Sequence, residues 1–90
     1  MRDDEFRRGV TKISIAPSHG PFEASASVTL WRSVVLSDFR IVANSEQEPS
    51  VIWTQEGPDG NRVSVPPPAA IPWAAASETV LKAYRRHYTH

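Results

Sequence analysis

The chain contains no cysteine, which excludes disulfides and thiolate zinc sites and points to a reducing setting. It has no net charge either. Ten Lys and Arg balance ten Asp and Glu, so no overall field draws in a polyanion, and affinity for one has to come from a local patch. Long hydrophobic runs are missing as well. The charged start Met1-Arg2-Asp3-Asp4-Glu5-Phe6-Arg7-Arg8 lacks the apolar stretch of a signal peptide, and no later segment approaches a membrane span. A cytoplasmic protein without membrane association is the expectation.

Histidine is scarce. His19 lies in a Pro/Gly-rich stretch, and His87 and His90 stand three apart at the C-terminus without a neighbouring carboxylate, so no metal centre is expected. The serines at 25, 27, 33, 37, 64 and 77 lack a glycine elbow and a histidine in any recognisable relation to them. They read as polar strand faces, and neither an enzymatic centre nor a cofactor is expected. Asp38, two residues before Arg40, reads as half of a surface ion pair on one strand face rather than as an acid or base.

The chain has 90 residues, 40% of them hydrophobic and 22% charged, which suits a single globular core and argues against wholesale disorder. A core of that size removes only about 60–65% of the unfolded surface from water, so a homodimer is the expected form. Residues 1–9 mix charges without apolar periodicity and read as a flexible arm, with one domain over 10–90.

From Val10, Ile13 and Ile15 alternate with Lys12 and Ser14 as a short strand, broken by Pro17-Ser18-His19-Gly20-Pro21. Phe22, Ala24, Ala26, Val28 and Leu30 then share one face of a half-buried strand. Trp31-Arg32-Ser33 is a tight connection into a strand over 34–42, on which Val35, Ser37, Phe39 and Ile41 share a face. Asn44 to Ser50 reads as a loop, Val51–Thr54 as a short strand, Gly57-Pro58-Asp59-Gly60 as a turn and Val63 with Val65 as a return strand. Pro66-Pro67-Pro68 ends the sheet. Trp73, Ala76, Val80 and Tyr84 then recur at helical spacing. The pattern specifies an α+β domain: a small antiparallel sheet of four or five strands followed by a C-terminal helix.

One patch has functional promise. Lys82, Arg85 and Arg86 cluster on the helix side away from Val80 and Tyr84. Arginines suit phosphate contacts, while basic residues in a last helical turn also complement the helix dipole. Trp31, Trp53 and Trp73 offer stacking surfaces, and tryptophans in a small domain more often form core or interface.

The order of segments resembles a known family. Ala26-Ser27-Val28-Thr29 followed by Val35-Leu36-Ser37-Asp38-Phe39-Arg40-Ile41-Val42 is similar to the hairpin of the stage V sporulation protein G (septation protein) family. Pro58-Asp59-Gly60 resembles that family's turn, and Val80-Leu81-Lys82-Ala83-Tyr84 its helix end. The matches span about residues 10–88 in the family's order. The resemblance implies strands first and helix last, a homodimer assembled through the sheet, and a bacterial cytoplasmic regulator linked to septation and sporulation. It also implies DNA or RNA binding, for which Lys82, Arg85 and Arg86 are the leading candidates and Arg62 and Arg40 secondary ones. Where members carry Lys-Arg-Thr before Pro-Asp-Gly, this chain has Gln55-Glu56-Gly57. The alternative from another class is a non-catalytic module that docks a division or regulatory protein through Trp31, Trp53 or the sheet edge.

Overall fold

The computed structural model describes residues 1–18, 20, 22–44 and 47–88. A helix α1 (Asp3–Gly9) leads into β1 (Val10–Pro17), β2 (Ala24–Leu30), β3 (Val34–Asn44), β4 (Gln47–Glu56) and β5 (Arg62–Ser64), and α2 (Trp73–Tyr88) follows. The strands form one antiparallel sheet in the order β1-β2-β3-β4-β5. The expected α+β architecture is thus present, with five strands and a second helix at the N-terminus.

β2 is the centre of the pattern. Ala24, Ala26, Val28 and Leu30 are buried and the residues between them only half-buried, as a strand packed on one face requires. Helices cover that face alone. Ala75, Ala76 and Val80 of α2 and Phe6 of α1 join the β2 residues, Phe39, Ile41 and Trp53 in one core. The alanines of β2 and α2 leave room for the larger rings. Phe39 stands edge-on to Trp53 at 5.1 Å and stacks on Trp73 at 5.9 Å, and Trp53 and Trp73 meet edge-to-face at 6.4 Å. These rings fasten the start of α2 to the middle of the sheet, within the range where aromatic pairs add to simple burial.

The structure departs from the sequence reading in four places. The arm expected at 1–9 is helical from Asp3 to Gly9, with acidic residues in its first turn and Arg7 and Arg8 in its last. This order complements the helix dipole, and the single apolar side chain Phe6 is fully buried. One anchoring ring gives no periodicity to read. The loop expected at 44–50 falls largely within strands, since β3 runs to Asn44 and β4 starts at Gln47, while Ser45 and Glu46 lie outside the described residues.

The third departure is in β3. Ala26 pairs with Phe39 and Val28 with Leu36, so two residues of β3, Ser37 and Asp38, stand opposite the one residue Ser27 of β2. A β-bulge at Ser37-Asp38 therefore shifts the alternation by one residue. Val35, expected on the face of Phe39 and Ile41, is 59% exposed, and Leu36 packs against the core instead.

The fourth concerns tryptophan. Trp53, expected as an exposed docking residue, is only 9% exposed, whereas Trp31 is 52% exposed. Trp31 and Arg32 turn the β2–β3 hairpin with φ of 50° and 62°, a left-handed pair that non-glycine residues adopt at a cost of about 1–2 kcal/mol each. Hydrogen bonds offset it. The Trp31 N–H donates to Gly9 O at 2.8 Å, the Ser33 N–H to Leu30 O at 3.0 Å, and the Arg32 N–H to Thr11 Oγ1 at 3.2 Å. The indole lies on Gly9, where an added Cβ would come within 2.9 Å of Trp31 Nε1.

Two substitutions test this packing. Phe39→Ala removes the ring shared by sheet and helix and is expected to cost about 3–5 kcal/mol in urea unfolding. Val35→Thr is expected to change stability by less than about 0.5 kcal/mol, because the bulge has already turned that side chain outward.

Candidate nucleic-acid interface

Pro72 precedes α2, and its carbonyl accepts the first helical bond from the Ala76 N–H at 2.9 Å. The helix then runs to Tyr88 with Ala75, Ala76 and Val80 inward. The side chains of Ser77 and Thr79 bond back to the carbonyls of Trp73 at 2.7 Å and Ala75 at 2.8 Å, which satisfies both hydroxyls within the helix. Glu78, Lys82, Arg85 and Arg86 are exposed on the outer side.

The cations of this helix have different surroundings. Lys82 Nζ lies 3.1 Å from Glu78 Oε1, and Arg7 of α1 holds the other oxygen of Glu78 at 2.9 Å. The bonds from Lys82, and next those from Arg7, hold the Glu78 carboxyl below its ordinary pKa. Arg85 leans toward β4, with Nη2 3.6 Å from Glu48 Oε2. Arg86 has no ion pair among the described residues and turns toward β1.

There it meets groups that the sequence reading did not select. A groove of about 450 Å³ runs between the outer edge of β1 and the end of α2, lined by Lys12, Ile13, Ile15, Ala83, Arg86 and His87 among others. A smaller adjoining groove is lined by Ile13, Thr79, Lys82, Ala83 and Arg86. Among the described residues no carboxylate lines either one. Lys12, Lys82, Arg86 and His87 thus form a basic border to an apolar floor on a protein with no net charge. Lys12 was legible as an outward residue of β1, but its nearness to α2 depends on how the helix crosses the sheet.

The secondary candidates are elsewhere. Arg40 lies between Phe39 and Ile41, whose side chains are buried under the helices, so it projects from the opposite, open face of the sheet. Its Nη1 donates to Phe39 O at 2.8 Å and Ser37 O at 3.0 Å, bracing the bulge. The expected pair of Asp38 with Arg40 is replaced. Asp38 Oδ1 accepts from Arg62 Nη1 at 2.8 Å, and the same nitrogen reaches Thr54 Oγ1 at 3.2 Å. Burial, then repulsion from Arg62, lowers the Arg40 pKa, and attraction to Asp38 opposes them. The five residues read as one set therefore divide into three: Lys82 and Arg86 at the groove, Arg85 toward β4, and Arg40 with Arg62 at another cleft.

His19 and His90 lie outside the described residues, so the His87/His90 pair is not placed. Among the described residues, no group of three or more metal-ligating side chains comes together and no helix is long and apolar enough to cross a membrane. No protein-family model matches the chain, and no curated protein matches it.

The Glu78 network has a pH signature. Its folded-state pKa is depressed, so its stabilising contribution is complete above the ordinary carboxylate pKa and is lost as pH falls through the folded value. Glu78→Gln is expected to lower the urea midpoint at pH 7, and the gap from wild type should narrow as pH falls below the ordinary carboxylate range.

Proposed function

We propose that this chain is a regulator of the septation-protein-G type that binds DNA or RNA weakly, as a homodimer, through phosphate contacts along the groove between β1 and α2. The observation that carries this reading is the composition of the groove. Two lysines, an arginine and a histidine border it, with no carboxylate among the described lining residues, although carboxylates equal cations in the chain as a whole. Such segregation concentrates positive potential where the net charge supplies none. A small antiparallel sheet followed by a C-terminal helix agrees with what the resemblance implies. In this reading the protein acts in the bacterial cytoplasm, in processes tied to septation and sporulation.

Phosphate contacts position a protein without reading bases, so affinity depends on salt more than on sequence. Lys12 and Arg86 are the principal contacts, and Lys82, which stays on the groove while paired with Glu78, adds to them. Arg85 contributes less, because it leans away toward Glu48, and Arg40 and Arg62 lie outside the interface. A second reading, docking of a regulatory protein, is favoured by the exposed Trp31 next to Val34 at 43% and Val35 at 59% exposure. Its mark is a specific protein partner whose recovery survives nuclease treatment and fails with Trp31→Ala.

Fluorescence anisotropy with labelled DNA and RNA tests the leading reading. Dissociation constants below about 50 µM are expected near 50 mM salt, weakening steeply toward 200 mM. Lys82→Ala with Arg86→Ala is expected to reduce the salt slope by about two, roughly one for each phosphate no longer neutralised. Absence of binding, or binding unchanged in that variant, overturns the assignment.

A further inference from the structure

A wider cleft lies away from the basic groove. It has a volume of about 670 Å³ and lies beside the β4–β5 turn, lined by Phe22, Arg40, Gly60, Asn61 and Arg62 with Ser18 and Gly20. Two arginines, and no carboxylate, are among its described lining residues. We propose that this cleft is a binding site for a phosphate monoester, with the phosphate held between Arg40 and Arg62 and the group esterified to it covered by the ring of Phe22.

The arrangement of the guanidinium groups motivates this. In the bonds described above, each is held through one terminal nitrogen. Arg40 uses Nη1 on the carbonyls of Ser37 and Phe39, and Arg62 uses Nη1 on Asp38 and Thr54. A guanidinium has five N–H donors in a planar fork, so each keeps donors that none of these bonds uses. Planar forks suit the oxygens of a phosphate, and charge-assisted bonds of this kind are among the strongest available.

The charge count points the same way. Among the described residues, Asp38 is the one carboxylate bonded to either arginine, and it bonds Arg62, so Arg40 has no bonded carboxylate. Arg62 is near enough to repel the Arg40 charge, and a dianion between the two relieves that repulsion.

Hydrogen bonds hold the β4–β5 turn and the backbone beside Phe22. The Glu23 N–H donates to Ile41 O at 2.8 Å beside Phe22. Across the cleft, Gly57 N–H reaches Asn61 O at 2.7 Å and Gly60 N–H reaches Gly57 O at 3.0 Å. Asp59 then accepts from the backbone and side chain of Asn61 at 3.1 and 3.0 Å. Gly60 takes φ 84°, and a Cβ built there meets nothing within 4 Å, so that side of the cleft is open to a ligand. A monoester suits better than a diester, because its second ionisation near pH 6 gives the dianion that two arginines match.

This inference does not depend on the nucleic-acid reading, and separate variants test the two. Inorganic phosphate, adenosine 5′-monophosphate and adenosine are each titrated into the intact protein at constant ionic strength while 1H–15N NMR follows all amides and the arginine Nε–H groups. Saturable shifts at Arg40, Gly60, Asn61 and Arg62 are expected with phosphate and with the nucleotide, and none with adenosine. Affinity should be greater at pH 7.5 than at pH 5.5. Arg40→Gln is expected to weaken binding about tenfold or more, whereas Lys82→Ala with Arg86→Ala leaves it unchanged.

Nucleotide binding tighter than inorganic phosphate assigns the ring of Phe22 to the base, while equal affinity assigns the site to the phosphate group alone. A 5′-phosphorylated oligonucleotide that outcompetes its 5′-hydroxyl counterpart for the cleft identifies a nucleic-acid end as the source. Equal competition assigns the site to free small molecules. No saturable shift up to about 10 mM phosphate or nucleotide, a dissociation constant weaker than about 2.7 kcal/mol of binding at 25 °C, overturns the proposal. So do shifts centred on Lys82 and Arg86. Because the shifts are read on the native protein, the result stands even where Arg40→Gln fails to fold.

Discussion

The rest of the fold depends on the contact of Phe39 with Trp53 and Trp73. A five-stranded sheet of this size has one face to bury and too few apolar residues to bury both. The three rings bring β3, β4 and α2 together at the middle of that face, and the small side chains Ala24, Ala26, Ala75 and Ala76 let the backbone layers close around them. Once α2 is fastened at Trp73, its direction across the sheet carries its far end to the edge of β1. The basic groove is therefore a consequence of packing at the other end of the helix.

The fold was legible wherever a face had a strict period. β2 alternates without interruption, and α2 repeats Trp73, Ala76, Val80 and Tyr84, so both could be read from spacing alone. β3 could not. Its bulge inserts a residue whose only sequence sign is the polar pair Ser37-Asp38, and the face assigned to Val35, just before that pair, is inverted. α1 was hidden for another reason, since seven residues with one buried ring carry no repeat. The site was legible in residue type and not in grouping. Lys82 and Arg86 share a helix face by spacing, but Lys12 joins them only through the crossing of α2 over β1. Arg62 finds Asp38 only through the return of β5 along β4.

Electrically the molecule is neutral in sum and divided in detail. Carboxylates are committed to particular cations: Glu78 to Arg7 and Lys82, Asp4 to Arg8, Asp38 to Arg62. Arg86 and Arg40 have no such ion pair among the described residues, and each stands beside a paired cation, Lys82 or Arg62, on a concave surface. The groove under α2 combines its cations with an apolar floor of isoleucine, whereas the open-face cleft combines them with an aromatic ring and a glycine turn. Extended anions suit the first shape and compact ones the second.

The pairing of α1 with α2 has a bearing on how the chain is made. Neighbours in sequence are neighbours in the sheet, so each hairpin can close early and locally. The link from Arg7 to Glu78 spans 71 residues, and Phe6 and Val80 complete a single core from the first and last elements of the fold. During synthesis the sheet's apolar face cannot be fully covered until α2 has emerged from the ribosome, because Ala75, Ala76, Val80 and Trp73 supply its far side.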